Sequence, residues 1–263
     1  MLPLPFELSI HELEIFFLVL VRTLSFFFLV PLFGYATNPP TIKIGLSVTV
    51  AFILTPFAGI SYSTPPTGLL GFVELVVREV GVGLFLGMAT IVLFAGVQFA
   101  GELVGIQIGF SVVNLIDPTQ ETNLSIVGQL NFYVAMMLFL LMDGHHRWLE
   151  ALAYSYDLIP PGTGSFHFDQ LMQHWVGVAG WVFVIALKVA APIMATLFLT
   201  DVALGLLSRS AEQLNIFTIG FSVKLIVGTI AIAFGFPLFA YLFGKIFAEL
   251  LKQVEHVLPM LAR

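Results

Sequence analysis

The chain has 263 residues, 59% of them hydrophobic and only 10% charged, with a mean hydropathy of +1.01. Soluble domains carry about 25% charged residues, so this composition belongs to an integral membrane protein. The net charge of −6 argues against nucleic acid as a partner, and the absence of cysteine excludes disulfides, thiolate metal sites and a cysteine nucleophile.

Six apolar segments approach or exceed the roughly 20 residues that a bilayer span needs. They run Leu13–Phe33, Ile44–Ile60, Leu69–Phe99, Leu124–Met142, Trp175–Leu199 and Phe217–Phe243. A β-barrel would instead show alternating strands of about 10 residues. The fold expected is therefore all-α: one multi-helix membrane domain over 1–263, its apolar segments broken into helical hairpins. The longest polar stretch, Asp143 to His174, is too short and too rich in Pro and Gly for a separate soluble domain. Before Arg22 there is no Lys or Arg, while Glu7, Glu12 and Glu14 are present. That is unlike the basic start of a cleavable signal peptide, so the first apolar run is expected to remain in the mature protein. Lys and Arg fall almost evenly on the two sets of alternate connecting segments. The charge bias that normally orients a membrane protein is nearly absent, a hint that partners set its final position.

Arg22 lies near the middle of the first apolar run. A charge at that depth is costly and is expected to face protein or water. Pro31-Leu-Phe-Gly34 and Asn38-Pro39-Pro40 read as a helix stop, and Pro56 as a kink at the end of the second segment. Glu74 and Arg78 stand at i,i+4 in the favourable order, followed by Glu79. Gly83 and Gly87 form one small-xxx-small step, and Gly101, Gly105 and Gly109 form two more, spacing that lets helices approach closely in lipid.

Gly101 to Asn123 is the most informative stretch. It combines three glycines with Gln107, Asn114, Asp117, Gln120 and Asn123, and Pro118 interrupts any helix. Irregular backbone between membrane-length runs is tolerated only at a surface, inside protein or beside a water-filled cavity. The stretch thus reads as a working part of a pore or complex.

Asp143-Gly-His145-His146-Arg147 follows the fourth segment. Consecutive helical side chains point about 100° apart, so two adjacent histidines make a poor chelate on one helix. A polar helix end or turn is the favoured reading over a metal site. Asp201, Gly205, Ser208, Arg209, Glu212 and Asn215 recur at helical spacing among apolar residues and read as an amphipathic helix after the fifth span. The tail Lys245 to Arg263 repeats that pattern. No GxSxG, P-loop, GxGxxG or HExxH motif occurs, and Ser165 near His167 is no triad. An enzyme is not expected, and neither is a cofactor.

Four groups of residues carry a resemblance over nearly the whole length. The first is Arg22 with Pro31-Leu-Phe-Gly34 and Asn38 to Gly45. The second runs from Gly101 through Gly105, Gln107, Gly109 and Phe110 to Asp117-Pro118. The third is Gly144-His-His-Arg147 with Leu158-Ile-Pro-Pro-Gly162. The fourth is Ala191-Pro192, Asp201 to Leu207, Gln213 to Phe217 and Gly220. Together they make the chain similar to the FliR/SctT family of type III export-gate proteins, with the fourth group favouring the flagellar branch over the injectisome branch. Ser222 departs from the family's usual proline after Gly-Phe.

The resemblance implies a structural, non-enzymatic role. It implies a bacterial inner-membrane protein of the flagellar basal body that joins FliP and FliQ in a helical assembly. FlhB and FlhA work beside that assembly, and unfolded flagellar subunits pass through it. It implies a FliP-like part over 1–123 and remaining helices over 124–263, with a FliQ-like hairpin at the C-terminal end. It also implies a plug loop near 105–123 that closes the pore. Gly105, Ile106, Gln107, Gly109, Phe110, Val112, Asp117 and Pro118 belong to that loop, the apolar ones as a seal and Gly105, Gly109 and Pro118 as bends. Arg22, Glu74, Arg78, Lys188, Asp201, Arg209 and Lys224 would then be intramembrane charges that contact neighbouring subunits. The competing class is a secondary transporter using Glu74, Arg78 and Lys188, but the two halves show no inverted repeat.

Overall fold

The computed structural model describes residues 10–31, 39–57, 68–110, 125–161, 168–210 and 216–261, and these form helices with no strand among them. In chain order the helices are α1 (Ile10–Leu29), α2 (Pro40–Leu54), α3 (Gly68–Ile108), α4 (Ile126–Leu141), α5 (Gly144–Leu158), α6 (Phe168–Ser210) and α7 (Ile216–Leu261). The described chain is all-α, as the apolar runs dictate.

Each of the six apolar runs carries a helix among the described residues, but the helix lengths differ from those of the runs. Among the described residues three helices are long and apolar enough to cross a membrane, or four if the broken pair α4–α5 counts as one. The second apolar run yields only the 15 residues of α2, which opens with Pro40 at its first position and ends in a 3-10 turn, Thr55–Phe57. Proline suits a first helical position because its missing N–H has no intrahelical role there. Pro56 cannot extend the ladder, which explains the stop. By contrast, α3, α6 and α7 run 41, 43 and 46 residues without interruption. The polar-striped stretch from Asp201 is not a separate amphipathic helix as far as Ser210; it is the end of α6. The stretch from Lys245 is likewise continuous with α7. Polar residues at helical spacing do not end a helix, so hydropathy falls there while the backbone continues.

Two compact units make up the chain. The first draws on Met1–Ile91, Asp143–Gly177 and Leu250–Arg263. Its core is built on the stripe of α1 formed by Ile15, Leu18, Val19, Arg22 and Phe26, all buried. That is the i, i+3, i+4, i+7 pattern of a single helix face. Gly83 and Gly87 of α3 seat on this stripe. A Cβ on Gly83 would lie 2.3 Å from the Arg22 carbonyl oxygen, and one on Gly87 would lie 2.7 Å from the Leu29 Cβ.

The second unit comprises Val92–Met142 and Val178–Glu249. Phe94 is its aromatic centre, with ring centroids 5.5 Å from both Phe132 and Phe139 and 6.4 Å from Phe243. Within this unit the second half of α3 meets the start of α4 through Gly101 and Gly105. A Cβ on Gly101 would lie 2.6 Å from the Gly128 Cα, so the two backbones touch with no side chain between them.

Candidate functional site

Arg22 is fully buried in the first unit and has four hydrogen bonds. Its Nε donates to Glu79 Oε2 of α3 at 2.6 Å. One terminal nitrogen donates to the Ser155 carbonyl and hydroxyl oxygens at 3.0 and 3.1 Å, and the other to the Ile159 carbonyl at 2.8 Å. The guanidinium also lies 4.3 Å from the centroid of the Tyr156 ring. Tyr156 donates its hydroxyl proton to the Val19 carbonyl at 3.1 Å, which leaves its oxygen free to accept from Thr23.

Ser155 and Ile159 close the C-terminal turn of α5, whose last turn holds no basic residue of its own. The exposed carbonyls and partial negative charge of a helix end favour a cation there. Arg22 supplies it from α1. Arg22 therefore has hydrogen-bond partners on α3 and α5 of its own chain. Glu79 is the partner that the sequence did not single out.

The second polar site lies in the second unit, at the end of α3. Here α3 stops in a left-handed turn at Gly109, with φ +107°. The Phe110 N–H donates to the Gly105 carbonyl at 3.0 Å and the Gly109 N–H to the Ile106 carbonyl at 3.1 Å. That pair of bonds is a Schellman cap, which glycine favours because a Cβ is strained at positive φ. Gly105, expected to supply a bend, is instead helical. A Cβ there would lie 2.4 Å from Oγ of Ser125, the residue that caps α4 by accepting from the Gly128 N–H. Its lack of a side chain serves packing, so the irregular segment begins at Gly109 and not at 105.

Around this cap lies a cavity of about 370 Å³ lined by Gln107, Gly109, Asp201, Gly205, Gly220 and Lys224 among others. Lys224 Nζ pairs with Asp201 Oδ1 at 2.5 Å, tying α7 to α6. The Gln107 amide donates to the Met194 carbonyl at 3.2 Å, while its Oε1 is buried with no partner among the described residues. Phe221 stands against the cap, 3.1 Å from where a Gly109 Cβ would sit. The cavity thus unites Gln107, Gly109, Asp201 and Lys224. Ile106 lines it too, yet is 61% exposed.

The other expected residues lie elsewhere. Glu74 and Arg78 form the i,i+4 ion pair that their spacing predicts, on an exposed face of α3. Lys188 reaches Glu249 at 3.8 Å and lies 5.6 Å from the Trp181 ring centroid. Arg209 is exposed in the last turn of α6. Val112, Asp117 and Pro118 lie outside the described residues.

Long apolar helices with charges paired along them define an all-α membrane protein. The chain belongs to the family of bacterial export proteins, family 1, which matches residues 13–250. It is 30% identical over 249 residues to the flagellar biosynthetic protein FliR of Bacillus subtilis (strain 168), a match covering 93% of this chain and 95% of that protein. It is 29% identical to the flagellar biosynthetic protein FliR of Escherichia coli (strain K12), over 99% of this chain and all of that one. A secretion system apparatus protein of Salmonella typhimurium, SsaT, is 29% identical over 84% of this chain and 87% of its own length.

Proposed function

We propose that this chain is a structural, non-catalytic subunit of a type III protein export gate of the flagellar branch, resident in the bacterial inner membrane at the basal body. It assembles with FliP- and FliQ-like helical proteins, and FlhA- and FlhB-like proteins act beside it. The assembly is a pore for unfolded flagellar subunits. The segment from Gly105 to Asn123, which begins in the capped last turn of α3, helps to plug the closed channel. The division into a FliP-like 1–123 and a later part with a FliQ-like hairpin belongs to the same reading.

The observation that carries it is the mismatch between helix length and burial. Helices of 41 to 46 residues rise about 60 to 70 Å, roughly twice a bilayer's hydrocarbon core. The apolar stretch Ile219–Pro259 has only 6% of its most apolar window buried within the chain. Apolar helix too long for lipid alone calls for protein neighbours, as an assembly raised from the membrane plane would supply. The full-length similarity to two FliR proteins supports the flagellar branch.

Native mass spectrometry of the tagged chain, co-expressed with its neighbouring membrane proteins in mild detergent, tests this. One copy bound to several copies of two small helical partners is expected. A lone chain or simple homo-oligomer that takes up solute in liposomes would favour a secondary transporter.

A further inference from the structure

We propose that Asp143, His145 and His146 form a binding site for a divalent transition ion of the zinc type. The three residues stand at the start of α5, within the first unit. One donor atom from each lies within 4.8 Å of the other two.

The arrangement depends on the backbone at Asp143. This residue occupies the N-cap position of α5, where an aspartate usually accepts from the N–H groups of the first turn. Here its φ of 53° is left-handed and its side chain makes no capping bond. The carboxylate turns instead to His146, with Oδ1 3.6 Å from Nδ1. The His145 and His146 rings lie beside one another, centroids 4.2 Å apart. His145 Nδ1 is buried and has no hydrogen-bond partner among the described residues. The left-handed residue therefore delivers a third ligand from outside the helix. The two imidazoles lie side by side despite the 100° separation of adjacent helical side chains.

Zinc bonds of about 2.0 to 2.1 Å place tetrahedral ligand atoms about 3.3 Å apart. The 3.6 Å separation of Asp143 and His146 is close to that, and these two largely exposed side chains are free to rotate towards the half-buried His145. Two imidazoles with one carboxylate favour zinc, copper, nickel or cobalt over the oxygen-seeking calcium and magnesium. Three protein ligands leave a fourth position for water.

The test uses the full chain without a histidine tag, stripped of metal by a chelator and titrated in detergent with cobalt chloride. One equivalent should give the visible absorption of four-coordinate cobalt, and zinc chloride should bleach it. Asp143→Gly keeps the left-handed backbone accessible while removing the carboxylate. It should weaken binding by about tenfold or more, as should His146→Ala. His256→Ala, a substitution of an exposed histidine on α7, should leave binding unchanged. Absence of the band, or equal binding by the His145→Ala/His146→Ala double variant with normal helical circular dichroism, would overturn the site.

Discussion

Gly101 and Gly128 meet backbone to backbone, with a Cβ on Gly101 destined to lie 2.7 Å from the Gly128 nitrogen and from the Val127 carbonyl oxygen. No flexible side chain is present to yield. Gly101→Ala is therefore predicted to cost about 1 to 3 kcal/mol, the usual penalty of overpacking. Gly180→Ala, where nothing lies within 4 Å, should be neutral or stabilising by up to about 1 kcal/mol. Thermal unfolding of both variants in detergent decides this. Equal melting points would show that the contact relaxes.

The buried pair Arg22–Glu79 gives a second prediction. Removing either member takes from a buried charge its partner of opposite sign, typically at about 3 to 5 kcal/mol. Arg22→Met and Glu79→Leu should each lower stability strongly, and the double variant by less than the sum of the two. A double-mutant cycle by denaturant unfolding measures the coupling. Strict additivity would mean that the contacts of Arg22 with Ser155, Tyr156 and Ile159 hold it independently of Glu79.

Gly109 carries the third. Alanine at φ +107° with Phe221 alongside should cost about 1 to 3 kcal/mol locally. Amide hydrogen exchange at residues 105–110 of Gly109→Ala should quicken while α4 stays protected. Unchanged exchange would remove the cap from the account.

The fourth concerns Asp201 and Lys224, whose side chains are 37% and 26% exposed. At that exposure the pair is worth about 1 kcal/mol or less. Asp201→Lys and Lys224→Asp should each impair assembly with the partner proteins, and the combined charge swap should restore it. Failure of the swap with both singles active would show that the charges act independently.

The fifth tests the plug. Replacing 110–123 by a Gly/Ser linker should make cells expressing the complete assembly permeable to small solutes. Normal permeability with normal export would dismiss this segment as a seal.

Local features were legible in the sequence. The Glu74–Arg78 pair, the small-residue steps and the breaking effect of Pro56 all follow from spacing within one turn or one helix. Glu79 as the partner of Arg22 was not legible, because the two are 57 residues apart and only packing of α1 on α3 brings them together. Helix ends were the other weakness. Asp201 and Lys245 lower hydropathy without interrupting backbone hydrogen bonding, so α6 and α7 outrun their apolar segments. At Gly105 the residue type was informative but double-edged: a glycine that permits a bend also permits close packing, and the neighbouring Ser125 decides between them.

The Arg22 contacts also constrain how the protein is made. Ser155 and Ile159 lie 133 and 137 residues further along the chain. At about 5 to 20 residues per second, α1 leaves the ribosome roughly 7 to 30 seconds before they exist. Throughout that interval the guanidinium lacks the carbonyl partners that α5 supplies. The Ser155 and Ile159 oxygens that accept from Arg22 thus become available only once α5 has been made.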